Sequence, residues 1–313
     1  MSKLPAGVSV VVPAFNAKST IEETVASVLK QTYTNFELII VDDGSTDGTL
    51  ELVAQLEEID ERIKLVEGKH LGPGAARNRG LDAAKNRWVL FLDADDLLAP
   101  HALETCLGVA SETGANLVLF DTIPFPDPSA SLDKGTLDRV NRYGRYYTRS
   151  IGAFVDRGAG ALEILVANHS YLVSPCLYLF ERAIVNVSGI RFDEILVMED
   201  NLFTPHLMLA AELVAYTPEA LHRRRVIPSS LTARSEPKHV LSLLVIAERL
   251  ESWANKGTIN ESEATSIRKI VRTLRGVAHR DYVAAVLSQC PHILCRGIVL
   301  LLRVLSRKSV ADR

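Results

Sequence analysis

Five short strand-like runs, Val8 to Val12, Phe36 to Val41, Ile63 to Val66, Trp88 to Leu92 and Asn116 to Phe120, are separated by segments of helical period. That alternation predicts an α/β fold, a mostly parallel, Rossmann-like sheet with helices on its faces. The first helix is expected from Thr20, whose spacing to Glu23 is that of a capping box, with Ile21, Val25, Val28 and Leu29 as its apolar stripe. A second helix is expected to open near Thr46 or Asp47, a third to run from Pro73 toward Ala84, and a fourth to begin after Pro100. Pro124 to Pro128 reads as a loop leaving the sheet. Residues 135–235 are mixed in pattern, and Lys238 to Arg307 is mainly helical.

In open sheets of this kind, ligands bind beyond the carboxyl ends of the strands, so the residues after each run carry the information. Here they are polar: Pro13-Ala-Phe-Asn16, Asp42-Asp43-Gly44-Ser45, and Asp93-Ala-Asp95-Asp96. Each has a structural explanation as a turn or helix cap. Three acidic or polar strand ends at one rim weaken that explanation. Asp93 and Asp95, with one residue between them, can point to the same side and serve as oxygen ligands for Mg²⁺ or Mn²⁺, which commonly takes one or two carboxylates plus phosphate oxygens. The cation would also relieve their mutual repulsion.

The order of these pieces closely resembles the A-type inverting glycosyltransferases of family 2. The matching segments are Val10-Val-Val-Pro13-Ala-Phe-Asn16, Phe36 to Thr49, Gly72-Pro-Gly-Ala-Ala-Arg77-Asn78-Arg-Gly80, and Phe91 to Asp96, about the first third of the chain. Ile190-Arg-Phe-Asp-Glu194 followed by Val197-Met-Glu199-Asp200 extends the match. The resemblance implies a nucleotide-sugar donor, most often UDP-linked, and a D-x-D motif that grips its diphosphate through Mn²⁺ or Mg²⁺.

Carried over by position, the resemblance puts Pro13, Phe15, Asn16, Asp43, Arg77 and Asp93 in the donor site, with Asp43 accepting from the base and Arg77 approaching from the third helix. Asp95, assisted by Asp93, is the implied metal ligand, and Asp96 defaults to a helix cap. Glu199 and Asp200 are the catalytic pair, Asp200 being the implied base, with a helix N-terminus favouring its ionised form. Its structural alternative is a plain N-cap. Leu221-His222-Arg223-Arg224-Arg225 with Ser229 to Thr232 resembles a loop that closes on the diphosphate; Arg223 and Arg225 are the candidates taken, because arginine forks suit phosphate. A solvated basic turn is the alternative, with His222 as a surface histidine. Arg139 to Arg149 interleaves aromatics with cations and is a candidate border of the acceptor site, or else a solvated helix face.

From Arg268 onward there are ten Lys/Arg and two Asp/Glu, a surplus of +8 that leaves −11 on residues 1–267 of a chain with net charge −3. An acidic body argues against a nucleic-acid partner. The last segment, with Arg296, Arg303 and Arg307 among Ile298, Val299, Leu301, Leu302 and Leu305, predicts a basic amphipathic helix suited to an anionic membrane, to a partner subunit or to the protein's own core. No apolar run approaches the roughly 20 residues of a membrane span. The four cysteines have no zinc-site spacing, which suits a cytoplasmic protein.

The expectation is therefore a metal-dependent inverting glycosyltransferase acting on a glycan or lipid-linked acceptor in cell-envelope or exopolysaccharide synthesis. It would be cytoplasmic, with a peripheral contact to the inner face of the plasma membrane or a homo-oligomeric contact through the tail. Residues 1–235 would form the catalytic unit, with 1–122 binding nucleotide and 123–235 supplying the acceptor site and base, and 236–313 a helical extension. The alternative from another class is a catalytically silent relative that binds nucleotide-sugars or scaffolds an assembly. Lack of a third glycine after Gly72-Pro-Gly-Ala argues against a dehydrogenase.

Overall fold

The structure is a computed structural model that describes residues 6–128, 133–194, 196–226 and 237–289, with side chains as far as 282. The predicted tail helix, Ser229 to Thr232, Cys290 and Cys295 lie outside the described residues.

The first half follows the predicted alternation. Strands β1 (Val8–Ala14), β2 (Phe36–Asp42), β3 (Ile63–Glu67) and β4 (Trp88–Phe91) run parallel in the order 3-2-1-4. Their crossovers are α1 (Ile21–Leu29), α2 (Thr49–Ile59) and α3 (Pro73–Ala83). Successive residues of β1 and β2 enter opposite cores: Val10, Val12, Leu38 and Ile40 face α1 and α4 (Ala102–Thr113), while Val11, Ile39 and Val41 face the other layer. Burial on both faces explains why these strands read as mainly apolar runs, interrupted at Ser9 and Glu37, rather than alternating ones.

Beyond β4 the sheet becomes mixed. The short β5 (Leu97–Leu98) pairs antiparallel with β9 (Val214–Val226), as does β7 (Phe154–Asp156). Strand β8 (Tyr178–Glu181) lies antiparallel between β4 and β6 (Leu117–Pro126), and β9 runs parallel to β6. The expected loop at Pro124 is instead the end of β6. Past Leu119 that strand is paired only with β9, and prolines two residues apart turn the same way, toward the free edge where a missing N–H costs nothing.

Helices α5 (Lys134–Tyr147), α6 (Gly158–Ala167), α7 (Arg182–Ser188) and α8 (Asp200–Ala210) complete this half. Helices α9 (Pro237–Asn255) and α10 (Glu261–Gln289) add Leu243, Ile246, Leu250, Ile267 and Val271 to the core that holds Val11 and Phe91.

The capping box predicted at Thr20 does not form. Thr20 makes no side-chain cap, and Glu23 turns away to pair with Arg225 at 2.5 Å. The reciprocal box occurs at α10, where Glu263 N–H donates to Asn260 Oδ1 and Asn260 N–H to Glu263 Oε2. The second helix starts at Thr49 rather than Thr46 or Asp47, because Asp47 uses its carboxylate on the Thr49 amide and hydroxyl and the Lys18 amide.

Candidate active site

The carboxylate turn after β4 is held from below. Asp96 N–H donates to Asp93 O, and Ala94 O accepts from the hydroxyls of Thr20 (2.9 Å) and Thr24 (3.0 Å) on α1. The N-terminal threonine of α1 thus anchors this turn instead of capping its own helix. Asp96 is not a helix cap; α4 begins six residues later. Its buried carboxylate accepts the Arg225 amide at 2.7 Å and lies 3.2 Å from His222 Nε2, which fixes β9 beside the turn. His222 is buried, not a surface histidine, and its Nδ1 meets the Thr122 hydroxyl at 2.8 Å.

Helix α3 links this turn to the distant α8. Gly72, at φ 96°, and Leu71 donate their amides to the two Asp43 oxygens at 2.7 and 3.1 Å. Asp43 therefore holds the approach to α3. Asn78 exchanges two hydrogen bonds of 2.9 Å with the Phe192 backbone. Arg77, expected at the nucleotide, is buried between Asp93 (2.9 Å) and Glu199 (2.5 Å), its guanidinium 5.5 Å from the Phe192 ring. Burial alone would lower its pKa, but those carboxylates outweigh burial and hold it above its ordinary value. The same arginine keeps Asp93 below the usual carboxylate range despite desolvation.

Glu199, occupied by Arg77, leaves Asp200 as the freer member of the pair. Asp200 opens α8, and its Oδ1 accepts from the Asn201 amide side chain at 2.9 Å. The helix N-terminus does not lower its pKa as expected. Burial and the neighbouring Glu199 push it up to about 7, against the pull of Arg77.

Strand alternation sorts the three arginines. Arg223 faces away from the carboxylates, exposed and 5.0 Å from the Phe125 ring. Arg225 is committed to Glu23, the Asp95 carbonyl and Asp127. Arg224 turns to the other face, between Tyr143 (5.8 Å) and Tyr147 (5.0 Å) of α5. Burial would lower its pKa, but Tyr147, Asp96 and Asp93 raise it. Sequence reasoning left open which of the three arginines meets the diphosphate, with Arg223 and Arg225 as the candidates taken; the period-2 rule applied to β9 puts those two on one face and Arg224 on the other.

The rest of the donor-site candidates gather along the β1 and β2 edge. Pro13 is paired with Val41 in the sheet. Phe15 is 47% exposed, its ring 4.5 Å from that of His70. Asn16, at φ 49°, accepts the Thr46 amide at 2.8 Å and donates its own to Ser45. These residues stand at the carboxyl ends of β1 and β2.

Asp95 carries the electrostatic cost of the cluster: burial, Asp96 and Asp93 push its carboxyl up to about 7. The charge of a divalent cation would reverse that penalty. Among the described residues no three His, Cys, Asp or Glu side chains converge in a metal cage. One or two carboxylates completed by phosphate oxygens is the pattern Mg²⁺ and Mn²⁺ use, so the residues fit such a cation.

The sheet order and the acid-lined rim define the A-type glycosyltransferase fold. The structure of S. aureus TarS 1–349 in complex with UDP-GlcNAc superposes with a TM-score of 0.65 at 22% identity, over 83% of this chain and 70% of that one. Mannosyltransferase PcManGT from Pyrobaculum calidifontis, in complex with GDP-Man and Mn²⁺, gives 0.60 at 16% identity, over 97% and 81%. Residues 9–162 match the model of glycosyl transferase family 2. The Escherichia coli UDP-Glc:α-D-GlcNAc-diphosphoundecaprenol β-1,3-glucosyltransferase WfgD is 45% identical over 98 residues, 31% of this chain and 38% of that protein. The chain spans between 37% and 50% of the length of the first curated relatives it matches. No helix among the described residues is long and apolar enough to cross a membrane.

Proposed function

We propose that the protein is a metal-dependent inverting glycosyltransferase that moves a sugar from a nucleotide-sugar, UDP-linked by preference, to a hydroxyl of a glycan or lipid-linked acceptor in envelope or exopolysaccharide synthesis. The observation that carries this reading is the Asp93–Arg77–Glu199 chain, which sets the carboxylate turn and Asp200 on the two sides of one buried guanidinium. The UDP-GlcNAc of the TarS structure and the diphosphoundecaprenol substrate in the WfgD name support the donor and acceptor classes.

Asp95, with Asp93, would hold Mg²⁺ or Mn²⁺, which when bound supplies charge neutralisation for the departing diphosphate. Arg224, presented to this cluster by β9, meets the same phosphates. Pro13, Phe15, Asn16 and Asp43 bound the nucleoside. Asp200 takes the acceptor proton as the acceptor oxygen bonds to the anomeric carbon and the carbon–diphosphate bond breaks, giving inversion in one displacement. A carboxylate near pKa 7 is an effective base at neutral pH. Residues 1–235 are the proposed catalytic unit, and 236–313 a helical extension whose tail contacts an anionic membrane or a second copy.

Incubation with a panel of nucleotide-sugars and Mn²⁺ tests this reading. Metal-dependent release of nucleoside diphosphate that Asp200→Asn abolishes supports it, whereas nucleotide-sugar binding without turnover in the unaltered protein identifies the silent relative. Truncation at about residue 285 should release the protein from anionic vesicles.

A further inference from the structure

Glu199 and Asp200 share one turn but are held by different partners. Glu199 is taken by Arg77 of α3. Asp200, the first residue of α8, meets the side chain of the residue after it: Asn201 Nδ2 donates to Asp200 Oδ1 at 2.9 Å.

The same amide nitrogen donates to Met198 O at 3.1 Å, and the Asn201 backbone N–H reaches that carbonyl at 3.1 Å as well. A carbonyl and a carboxylate can only accept, so the nitrogen of the Asn201 amide, not its oxygen, lies between them. Met198 sits at φ 63°, a left-handed backbone that a residue with a side chain adopts when its surroundings impose it. The N-cap residue of α8, Glu199, makes no side-chain cap. Asn201 takes over from inside the first turn. One hydrogen of its amide closes the turn at Met198, and the other fixes one oxygen of Asp200. Asn201 is 4% exposed, whereas Asp200 is half-buried, so the clamp is interior and the carboxylate stands at the edge.

We infer that Asn201 is a positioning residue for the base: its amide pins Oδ1 of Asp200, so that Oδ2 is the oxygen that receives the proton of the acceptor hydroxyl. This inference rests on the glycosyltransferase reading above and adds to it the group that aims the base and the oxygen that reacts. The acceptor O–H bond breaks, its proton passes to Oδ2, and its electron pair bonds to the anomeric carbon as the diphosphate leaves.

A donor on a carboxylate also favours the charged form. Burial and Glu199 push the Asp200 carboxyl up to about 7, and Arg77 and Asn201 pull against them. The other titratable groups acting on it are Tyr146 and Tyr147 of α5, Tyr171, and Tyr178 of β8, all raised by burial and uncharged near neutral pH. Loss of the Asn201 donor therefore moves the base in one direction, upward.

Asn201→Ala removes the donor and keeps the backbone. The rate of nucleoside diphosphate release at pH 7 should fall about tenfold. The midpoint of its acid limb should rise by roughly 0.5–1 pH unit. The Kd for UDP with Mn²⁺ should stay unchanged. Asn201→Asp keeps the shape but sets an oxygen against both acceptors, and should be slower than Asn201→Ala. A purely structural asparagine predicts the reverse order, because alanine leaves the larger gap, and an acid limb that does not move. That reverse order, an unmoved midpoint, weakened UDP binding, or failure of both variants to fold overturns the inference. Asp200→Asn separates this failure from that of the function reading. If it is inactive while Asn201→Ala is normal, only the positioning role is wrong; if it turns over normally, the assigned base falls and the inference with it.

Discussion

Arg77 and Glu199 lie 122 positions apart in the chain and close a buried 2.5 Å ion pair that ties α3 to the start of α8. The other end of the same guanidinium holds Asp93. Removing the arginine leaves two carboxylates uncompensated, one of them deeply buried, a situation that typically costs roughly 3–5 kcal/mol. Arg77→Met should therefore unfold at lower urea and lose turnover, and Arg77→Lys, lacking the fork, should keep only one of the two contacts. Stability equal to the unaltered protein in Arg77→Met would show that the pair carries no load.

Asp95 and Asp96 are adjacent but separable. Asp95→Ala should remove the rise in Tm that Mn²⁺ with nucleoside diphosphate produces, without destabilising the free protein, because it relieves like-charge crowding. Asp96→Ala should cost about 1–3 kcal/mol by leaving the buried Arg225 amide without its acceptor. Thermal scans with and without the metal nucleotide distinguish the two.

Asp200 sets the pH dependence. A base raised to about 7 is mostly protonated below that pH, so kcat/KM should climb with unit slope and level off above about pH 7. The stability linkage has the opposite sense. The native state holds this proton more tightly than the unfolded chain does, so stability falls as pH rises from the ordinary carboxylate range to about 7. Asp200→Asn should remove that part of the slope, read by unfolding at several pH values.

Arg224 and Arg223 should behave differently. Arg224→Ala is expected to raise donor KM tenfold or more, equivalent to about 1.4 kcal/mol, by removing one charge-assisted contact to phosphate. Arg223→Ala, on the opposite face, should stay within twofold. Equal effects from both would refute the facing deduced from β9.

Gly74 packs against the segment before Asp200 with no room for a side chain. A Cβ there would lie 2.4 Å from Asp193 O and 3.2 Å from Glu199 Cγ. Gly74→Ala should cost about 1–3 kcal/mol and lower turnover, since the backbone that must yield leads directly to Asp200. A crystal structure of the variant would show the displacement.

Much of the fold was legible because local signals agreed. Val8 to Val12 and Phe36 to Val41 are apolar except for Ser9 and Glu37, which hydrogen-bond to each other in the interior, and Pro73 begins α3 where a first-turn proline is tolerated. The antiparallel insertion of β8 was not legible. Tyr178 to Glu181 is only four residues long, and nothing local says which strands it will separate. Pro124 misled for a related reason: whether a proline can remain in a strand depends on which edge stays free.

The sequence by itself determined the α/β frame and the carboxylates at the end of β4, because periodicity along each segment suffices for them, while the Glu199-Asp200 pair was singled out only through the family resemblance. Only the tertiary structure decided that Thr20 supports the carboxylate turn, that Asp96 clamps β9, that Arg77 bridges Asp93 to Glu199, and that Arg224 is the arginine turned toward the cluster. Those roles depend on partners brought from 74, 129 and 122 positions away and on the face a strand presents. A side chain's charge is written in the sequence, but the partner that satisfies it is chosen by whichever distant segment the fold packs against it.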